Sequence, residues 1–172
     1  MKSLILAIFV FLLSLRAAAN EVHVHSSPYA GQQTREIKSL SPDDVAELEK
    51  GGGWGLAKAA ELNGMPGPSH VLKAKRELGL TADQEALIQS VFENMRHEAI
   101  AEGKRLIAEE MVLEVGFRER TLGPDSLRDR LRGIELSRSN LRYIHLVAHL
   151  KMFRVLGEDQ IKRYNELRGY ER

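Results

Sequence analysis

Apolar residues recur at steps of three, four or seven along a proline-free stretch from residue 82 to about residue 120. This spacing is typical of one face of an α-helix. Thr81 stands directly before the stretch and Gln84 three places later, which is the pattern of a capping box. A helix of this length would extend roughly 55 Å, so it needs a partner helix along its length. Its predicted inward face consists of Ile88, Phe92, Met95, Ala99, Gly103, Leu106 and Leu113.

A second apolar pattern follows the helix-breaking pair Gly123-Pro124 and runs from about residue 127 to residue 156. Arg138 and His145 interrupt its heptad-like spacing of apolar residues, and Gly157 marks the end of the predicted helix. Two long helices joined by a short break are expected to lie side by side in opposite directions. The pattern therefore predicts an all-α fold, namely a long antiparallel helical hairpin with short flanking helices.

Shorter helical signals precede the hairpin. Ser41-Pro42-Asp43-Asp44 combines an N-cap residue, proline at the first helical position and acids in the first turn. Three glycines at 51–53 and a Met-Pro-Gly-Pro turn at 65–68 interrupt the helical pattern. We therefore divide the mature chain into a mobile tail at 20–40, a short helical segment with Gly- and Pro-rich joints at 41–68, and a helical hairpin domain at 69–172.

The first nineteen residues have the features of a secretory signal peptide. Lys2 precedes an apolar run at residues 4–13, and Ala17-Ala18-Ala19 fits the small-residue cleavage rule. Cleavage after Ala19 would give a periplasmic protein with no stable membrane span. A retained anchor is the alternative, because Arg16 is unusual so close to a cleavage site.

Composition narrows the function classes. Cysteine is absent, which excludes a disulfide framework and thiolate metal ligands. The formal net charge of +1 becomes −1 when Lys2 and Arg16 leave with the signal, so no net field attracts nucleic acid. The sequence has neither a nucleophile elbow nor the HExxH motif of zinc proteases. We expect a protein that is not an enzyme, requires no cofactor and does not bind nucleic acid.

Two groups of histidines are candidate metal ligands. His145, His149 and Met152 fall on one face of the second long helix, and Glu102 on the first could add a carboxylate. This ligand set suits zinc, copper, nickel or cobalt. The alternative is that these histidines are packing residues of the hairpin seam. His23 and His25 in the tail form a second, weaker candidate, with two solvated histidines as its alternative.

The second long helix carries more apolar residues than one partner helix can cover. Leu146, Leu150 and Phe153 form a stripe beside the seam. An uncovered stripe indicates either a dimer interface or a surface for non-native chains. We expect a homodimer, with client binding as the alternative use of this surface.

Two short motifs resemble those of a known family. Leu80-Thr81-Ala82-Asp83-Gln84 matches the LTXXQ motif, and Leu156-Gly157-Glu158-Asp159-Gln160 is similar to it, with glycine in place of threonine. The chain thus resembles the LTXXQ-motif (Spy/CpxP-like) periplasmic proteins and the related CnrX-like and ZraP-like heavy-metal sensor and resistance proteins. The resemblance covers roughly residues 71–167 and makes 69–172 an LTXXQ-type domain.

The resemblance implies a hairpin-like protomer of four helices that often forms an antiparallel dimer. Members act as ATP-independent chaperones, stress-signalling regulators or metal sensors, so the implied partners are unfolded exported proteins or an envelope sensor protein. The metal-sensing members use His, Glu and Met on the long helices, which resembles His145, His149, Met152 and Glu102. Our first expectation is a chaperone or stress regulator, and the alternative is a metal sensor or resistance protein. The resemblance implies no role for residues 29–68.

Overall fold

The computed structural model describes residues 27–170, and all regular structure in this range is helical. Residues 27–30 form a turn that belongs to a separate unit from the rest. The predicted all-α helical hairpin is confirmed, because the two longest helices pack along each other. Dimerisation stays a prediction. After a 3-10 helix at Gln32–Thr34, the helices are α1 (Pro42–Glu49), α2 (Lys58–Glu61), α3 (Pro68–Lys73), α4 (Ala82–Arg118), α5 (Pro124–Val155) and α6 (Glu158–Arg168).

Several predictions about the N-terminus fall on residues that the structure does not describe. The signal peptide at 1–19 and the candidate ligands His23 and His25 lie outside the described range. Among the described helices, none is both long enough and apolar enough to cross a membrane.

Capping boxes fix the first turns of α1 and α4, and half of such a box caps α6. Thr81 Oγ1 accepts from the backbone N–H of Gln84, and the Gln84 side chain accepts from the N–H of Thr81. Gly157 has no side chain to offer, yet its N–H still donates to Gln160 Oε1 at 2.9 Å. The second motif therefore keeps the glutamine half of the box and loses the hydroxyl half.

Two clusters of buried residues form the core. The first joins the middle of the hairpin to α1 and to the chain before it, and the second joins α3, the open end of the hairpin and α6. Ile37 and Leu40, which the sequence analysis assigned to the tail, are buried in the first cluster. The first cluster contains Ile37, Leu40, Leu48, Ala99, Leu106, Ile134, Leu141 and Ile144; the second contains Val71, Leu78, Ile88, Met152, Leu156 and Tyr164.

Glycine permits the close approach of α1 to α4. A Cβ added at Gly103 would lie 2.6 Å from the carbonyl oxygen of Leu48. Gly51, just after α1, has a φ of +69°, and a Cβ added there would lie 2.8 Å from the carbonyl oxygen of Arg96. The segment before the hairpin is therefore packed directly onto the backbone of α4.

Polar pairs cross the seam between α4 and α5 in the half of the hairpin nearer the turn at Gly123. Arg138 Nη2 lies 2.6 Å from Glu110 Oε1, which is almost completely buried, and the Arg138 guanidinium stacks 5.0 Å from the Trp54 ring. Ser137 Oγ donates to Glu109 Oε2 at 3.2 Å. Buried polar groups are costly without partners, so these pairs help to set the register of α4 against α5.

Candidate functional site

A cavity of about 400 Å³ lies between residues 50–70 and the long helices. α5 contributes two imidazoles, α4 contributes an arginine with apolar neighbours, and the glycine-rich turn after α1 forms part of the wall. The charged and imidazole side chains that line it are Lys50, Lys58, Glu61, His70, Arg96, His145 and His149. The hairpin and the short-helix segment thus build this cavity together.

His145 is 4% exposed, and its ring lies at the cavity wall. Burial lowers the pKa of His145, and a hydrogen bond to the backbone of Gly52 opposes this by raising it. A bond that raises the pKa has the imidazole as its donor, so the carbonyl oxygen of Gly52 is the acceptor. Nε2 is buried without a hydrogen-bond partner among the described residues, which places that bond at Nδ1. Nε2 therefore presents an unused lone pair.

His149 has the same tautomer. Its Nδ1 lies 2.9 Å from the carbonyl oxygen of Met65, and because a carbonyl can only accept, the hydrogen is on Nδ1. A Cβ at Gly67 would lie 3.0 Å from Nε2 of the same ring, so a larger residue there would press on the imidazole. Both rings are thus oriented by backbone carbonyls of the short-helix segment.

Glu61 connects α2 to the C-terminal helix at the cavity wall. Its Oε1 accepts hydrogen bonds from Tyr164 Oη at 2.8 Å and Tyr170 Oη at 3.2 Å, and it lies 3.0 Å from Arg168 Nη2. Burial and the bond to this carboxylate raise the pKa of Tyr164. His70 Nδ1 lies 3.5 Å from the same oxygen, and burial followed by the charge of Arg168 lowers the pKa of His70. The negative charge of Glu61 is therefore used within the protein.

Of the four predicted metal ligands, His145 and His149 line the cavity and Glu102 and Met152 do not. His145 and His149 share the cavity, whereas Glu102 accepts from Asn140 Nδ2 at 3.4 Å in the seam. Met152 is fully buried in the second core cluster. Within residues 27–170, no group of three His, Asp or Glu side chains is placed to hold a metal ion. Glu102 therefore does not join the two histidines in such a group, and the set of His145, His149 and Met152 stays a prediction.

A row of apolar side chains on the outer face of α5 is exposed. Its members, Leu136, Tyr143, Leu150 and Phe153, are between 51% and 68% exposed and are spaced by seven, seven and three residues. We call this row the α5 stripe. Leu146, predicted as part of the surface, is half-buried beside it. Phe153 also borders an open groove of about 810 Å³ that includes Leu62, Ile161 and Tyr170.

The residues predicted from the sequence did not include Glu61 and His70 at the cavity or Leu136 and Tyr143 of the α5 stripe. Leu136 and Tyr143 could have been found, because they precede Leu150 at exact heptad intervals. Glu61 and His70 carry no such signal. They lie on short helices that α4 separates from α5 along the chain, and only the packing of α2 and α3 brings them to the histidines.

The chain was compared with protein-family models, with curated proteins and with solved structures, and none of the three comparisons gives a match. The similarity to the LTXXQ-motif family therefore depends on the two motifs and stays a prediction.

Proposed function

We propose that this protein is an exported, ATP-independent stress protein of the Spy/CpxP type that binds unfolded or misfolded exported proteins. The observation that carries the proposal is the α5 stripe, which the hairpin leaves uncovered. Several large apolar side chains exposed on one face are typical of interaction surfaces. A regulatory protein of this type would present the same surface to an envelope sensor protein.

The placement of the stripe suits transient binding of apolar segments. α5 is held along its length by α4, so the row of side chains is presented on a rigid support. Each apolar side chain that a client buries there gains about 25 cal/mol per Å² of area removed from water. The groove beside Phe153 extends the apolar surface toward Leu62 and Ile161. No nucleotide is needed for binding that is driven by burial alone.

An aggregation assay tests this function. The exported form is mixed at equal molar amounts with reduced, unfolded α-lactalbumin, and light scattering is followed over time. We expect the wild-type protein to suppress aggregation and the triple variant Tyr143→Ser, Leu150→Ser, Phe153→Ser to lose most of that activity. A matched control is Leu87→Ser, Phe117→Ser, because these side chains are 51% and 59% exposed but belong to α4 and not to the stripe. Equal suppression by all three proteins would contradict the proposal.

Sedimentation velocity of the same proteins separates client binding from dimerisation. If the stripe variant changes from dimer to monomer while keeping full suppression, the stripe is a dimer interface and the client surface lies elsewhere. If the variant keeps the oligomeric state of the wild type, whether monomer or dimer, and loses suppression, the stripe itself receives the client.

The alternative function, a periplasmic metal sensor or metal-binding resistance protein, stays a prediction. It keeps the shared position of His145 and His149 in its favour, since residues i and i+4 of a helix can chelate one ion. Calorimetric titration with zinc, copper, nickel and cobalt tests it, and a His145→Ala, His149→Ala variant should then show no heat of binding. Unchanged heats in that variant would remove this site.

A further inference from the structure

The cavity that contains His145 and His149 has an excess of fixed positive charge. Lys50, Lys58 and Arg96 line it, and Glu61 is the one acidic side chain among its lining residues. Because Glu61 is paired with Arg168 and accepts from two tyrosines, little of its charge is left to attract a cation. These charges favour an anion in the cavity over a divalent metal ion.

The histidines add a second requirement for any ligand. His145 and His149 both carry their hydrogen on Nδ1, where a backbone carbonyl accepts it, so each Nε2 can only accept. His145 Nε2 is buried and has no partner among the described residues. A buried acceptor without a donor costs free energy, which a ligand that brings a donor would recover. The ligand should therefore combine negative charge with a hydroxyl group.

We propose that this cavity binds a small oxyanion that carries its own hydroxyl, namely inorganic phosphate or a phosphate monoester. Its charged oxygens would face Lys50, Lys58 and Arg96. The hydroxyl that donates to His145 Nε2 would be the P–OH of inorganic phosphate or an alcohol hydroxyl of the monoester. The glycine-rich turn leaves space on the loop side, since a Cβ at Gly53 would meet nothing within 4 Å. This site is independent of the α5 stripe and goes beyond the proposed chaperone function.

Phosphate and sulfate give a sharp comparison, because at pH 7 phosphate keeps a hydroxyl that sulfate lacks. The exported form is titrated calorimetrically with sodium phosphate and with sodium sulfate at equal ionic strength. We expect phosphate to bind at least about tenfold more tightly, since a site that accepts a ligand hydroxyl discriminates against an analogue without it. Equal affinities for the two anions, or no binding of either, would overturn the proposal.

Surface-charge variants locate the site. Lys58→Gln should weaken phosphate binding about tenfold, whereas Lys151→Gln, an exposed lysine of α5 that does not line the cavity, should leave it unchanged. Both changes are at exposed positions, so the variants are expected to fold, and thermal unfolding checks this. Equal binding by both variants would place the anion elsewhere and overturn the assignment. His145→Gln, which keeps a hydrogen-bond acceptor, should retain more of the preference for phosphate over sulfate than His145→Leu.

Glycerol phosphate distinguishes the two sources of the ligand. Tighter binding of the monoester supports a phosphorylated small molecule, and tighter binding of inorganic phosphate supports the free ion. A third result, in which zinc or nickel binds and neither phosphate compound does, would overturn the proposal. Because client protection is measured separately, loss of either activity leaves the other test intact.

Discussion

Gln84 and Gln160 donate hydrogen bonds to each other across the open end of the hairpin. The Nε2 of each lies 2.9–3.0 Å from the Oε1 of the other. Each Oε1 also accepts from the N-cap residue of its own helix, Thr81 or Gly157. The two motifs therefore cap their helices and join α4 to α6 with the same pair of side chains. Substitution of either glutamine should disturb both the cap of its own helix and the contact between α4 and α6.

The glutamine pair predicts a measurable coupling energy. Gln84→Ala should lower the free energy of unfolding by about 2 kcal/mol, because it leaves the part-buried Val155 carbonyl and Gln160 amide without this partner and removes the glutamine half of the α4 capping box. Gln89→Ala is the matched control, since Gln89 is exposed on α4 and, within residues 27–170, bonds only Glu93, a contact worth roughly 0.2–0.5 kcal/mol. In urea titrations, the double variant Gln84→Ala, Gln160→Ala should cost less than the two single losses added together. Strict additivity would show that the pair does not act as a unit.

The buried ion pair of the seam gives a second prediction. Arg138→Ala should cost about 3 kcal/mol of stability, because it leaves the buried Glu110 carboxylate without its charged partner. Arg132→Ala removes an exposed pair with Asp129 and should change stability by less than about 1 kcal/mol. Urea unfolding followed by Trp54 fluorescence reports both, and the Trp54 emission should also change in the folded Arg138 variant. Similar losses in the two variants would contradict the assigned burial.

Two glycines of the hairpin should respond oppositely to alanine. At Gly103 the new Cβ would lie 2.6 Å from the Leu48 carbonyl oxygen, so α1 must move and stability should fall by about 1–3 kcal/mol. At Gly133 the nearest atoms belong to the Glu109 carboxylate at 3.4 Å, an ordinary contact. Alanine there should therefore stabilise α5 by up to about 1 kcal/mol through helix propensity. Thermal unfolding of the two variants measures the difference, and destabilisation at both positions would contradict it.

The pH dependence of stability should include a contribution from Asp44. Hydrogen bonds from the Ser41 side chain and then from Trp54 hold the pKa of Asp44 below its ordinary value of 3.8. Because the folded pKa is the lower one, this contribution is present above the ordinary value and is lost as the pH falls through the folded pKa. Asp44→Asn should therefore be destabilising at pH 7, by about 1 kcal/mol, and less destabilising at pH 2.

The control for this pH effect is the neighbouring Asp43→Asn, which changes an exposed acid of the same first turn. Its effect on the free energy of unfolding should vary less between pH 7 and pH 2. Urea unfolding of the wild type and both variants at the two pH values provides the comparison. A constant difference between wild type and Asp44→Asn would show that the Ser41 and Trp54 bonds do not act on this carboxylate.

The amino-acid sequence by itself determined the elements that depend on local chemistry. Capping boxes, the proline at position 42 and the helix-breaking pair Gly123-Pro124 set the ends of the helices within a few residues. Periodic apolar residues such as Ile88, Leu106 and Leu141 set the buried faces, because helical geometry converts spacing directly into a face. These local rules were sufficient for the all-α hairpin.

Only the tertiary structure decided which polar groups meet. Glu61 and His70 reach the histidines of α5 through the packing of α2 and α3, and no spacing along the chain encodes that contact. Packing of the chain before α1 onto the hairpin buries Ile37, and Glu102 and Met152 do not line the cavity. Contacts between distant segments depend on how close backbones can approach, as at Gly103, and this is a property of the assembled fold.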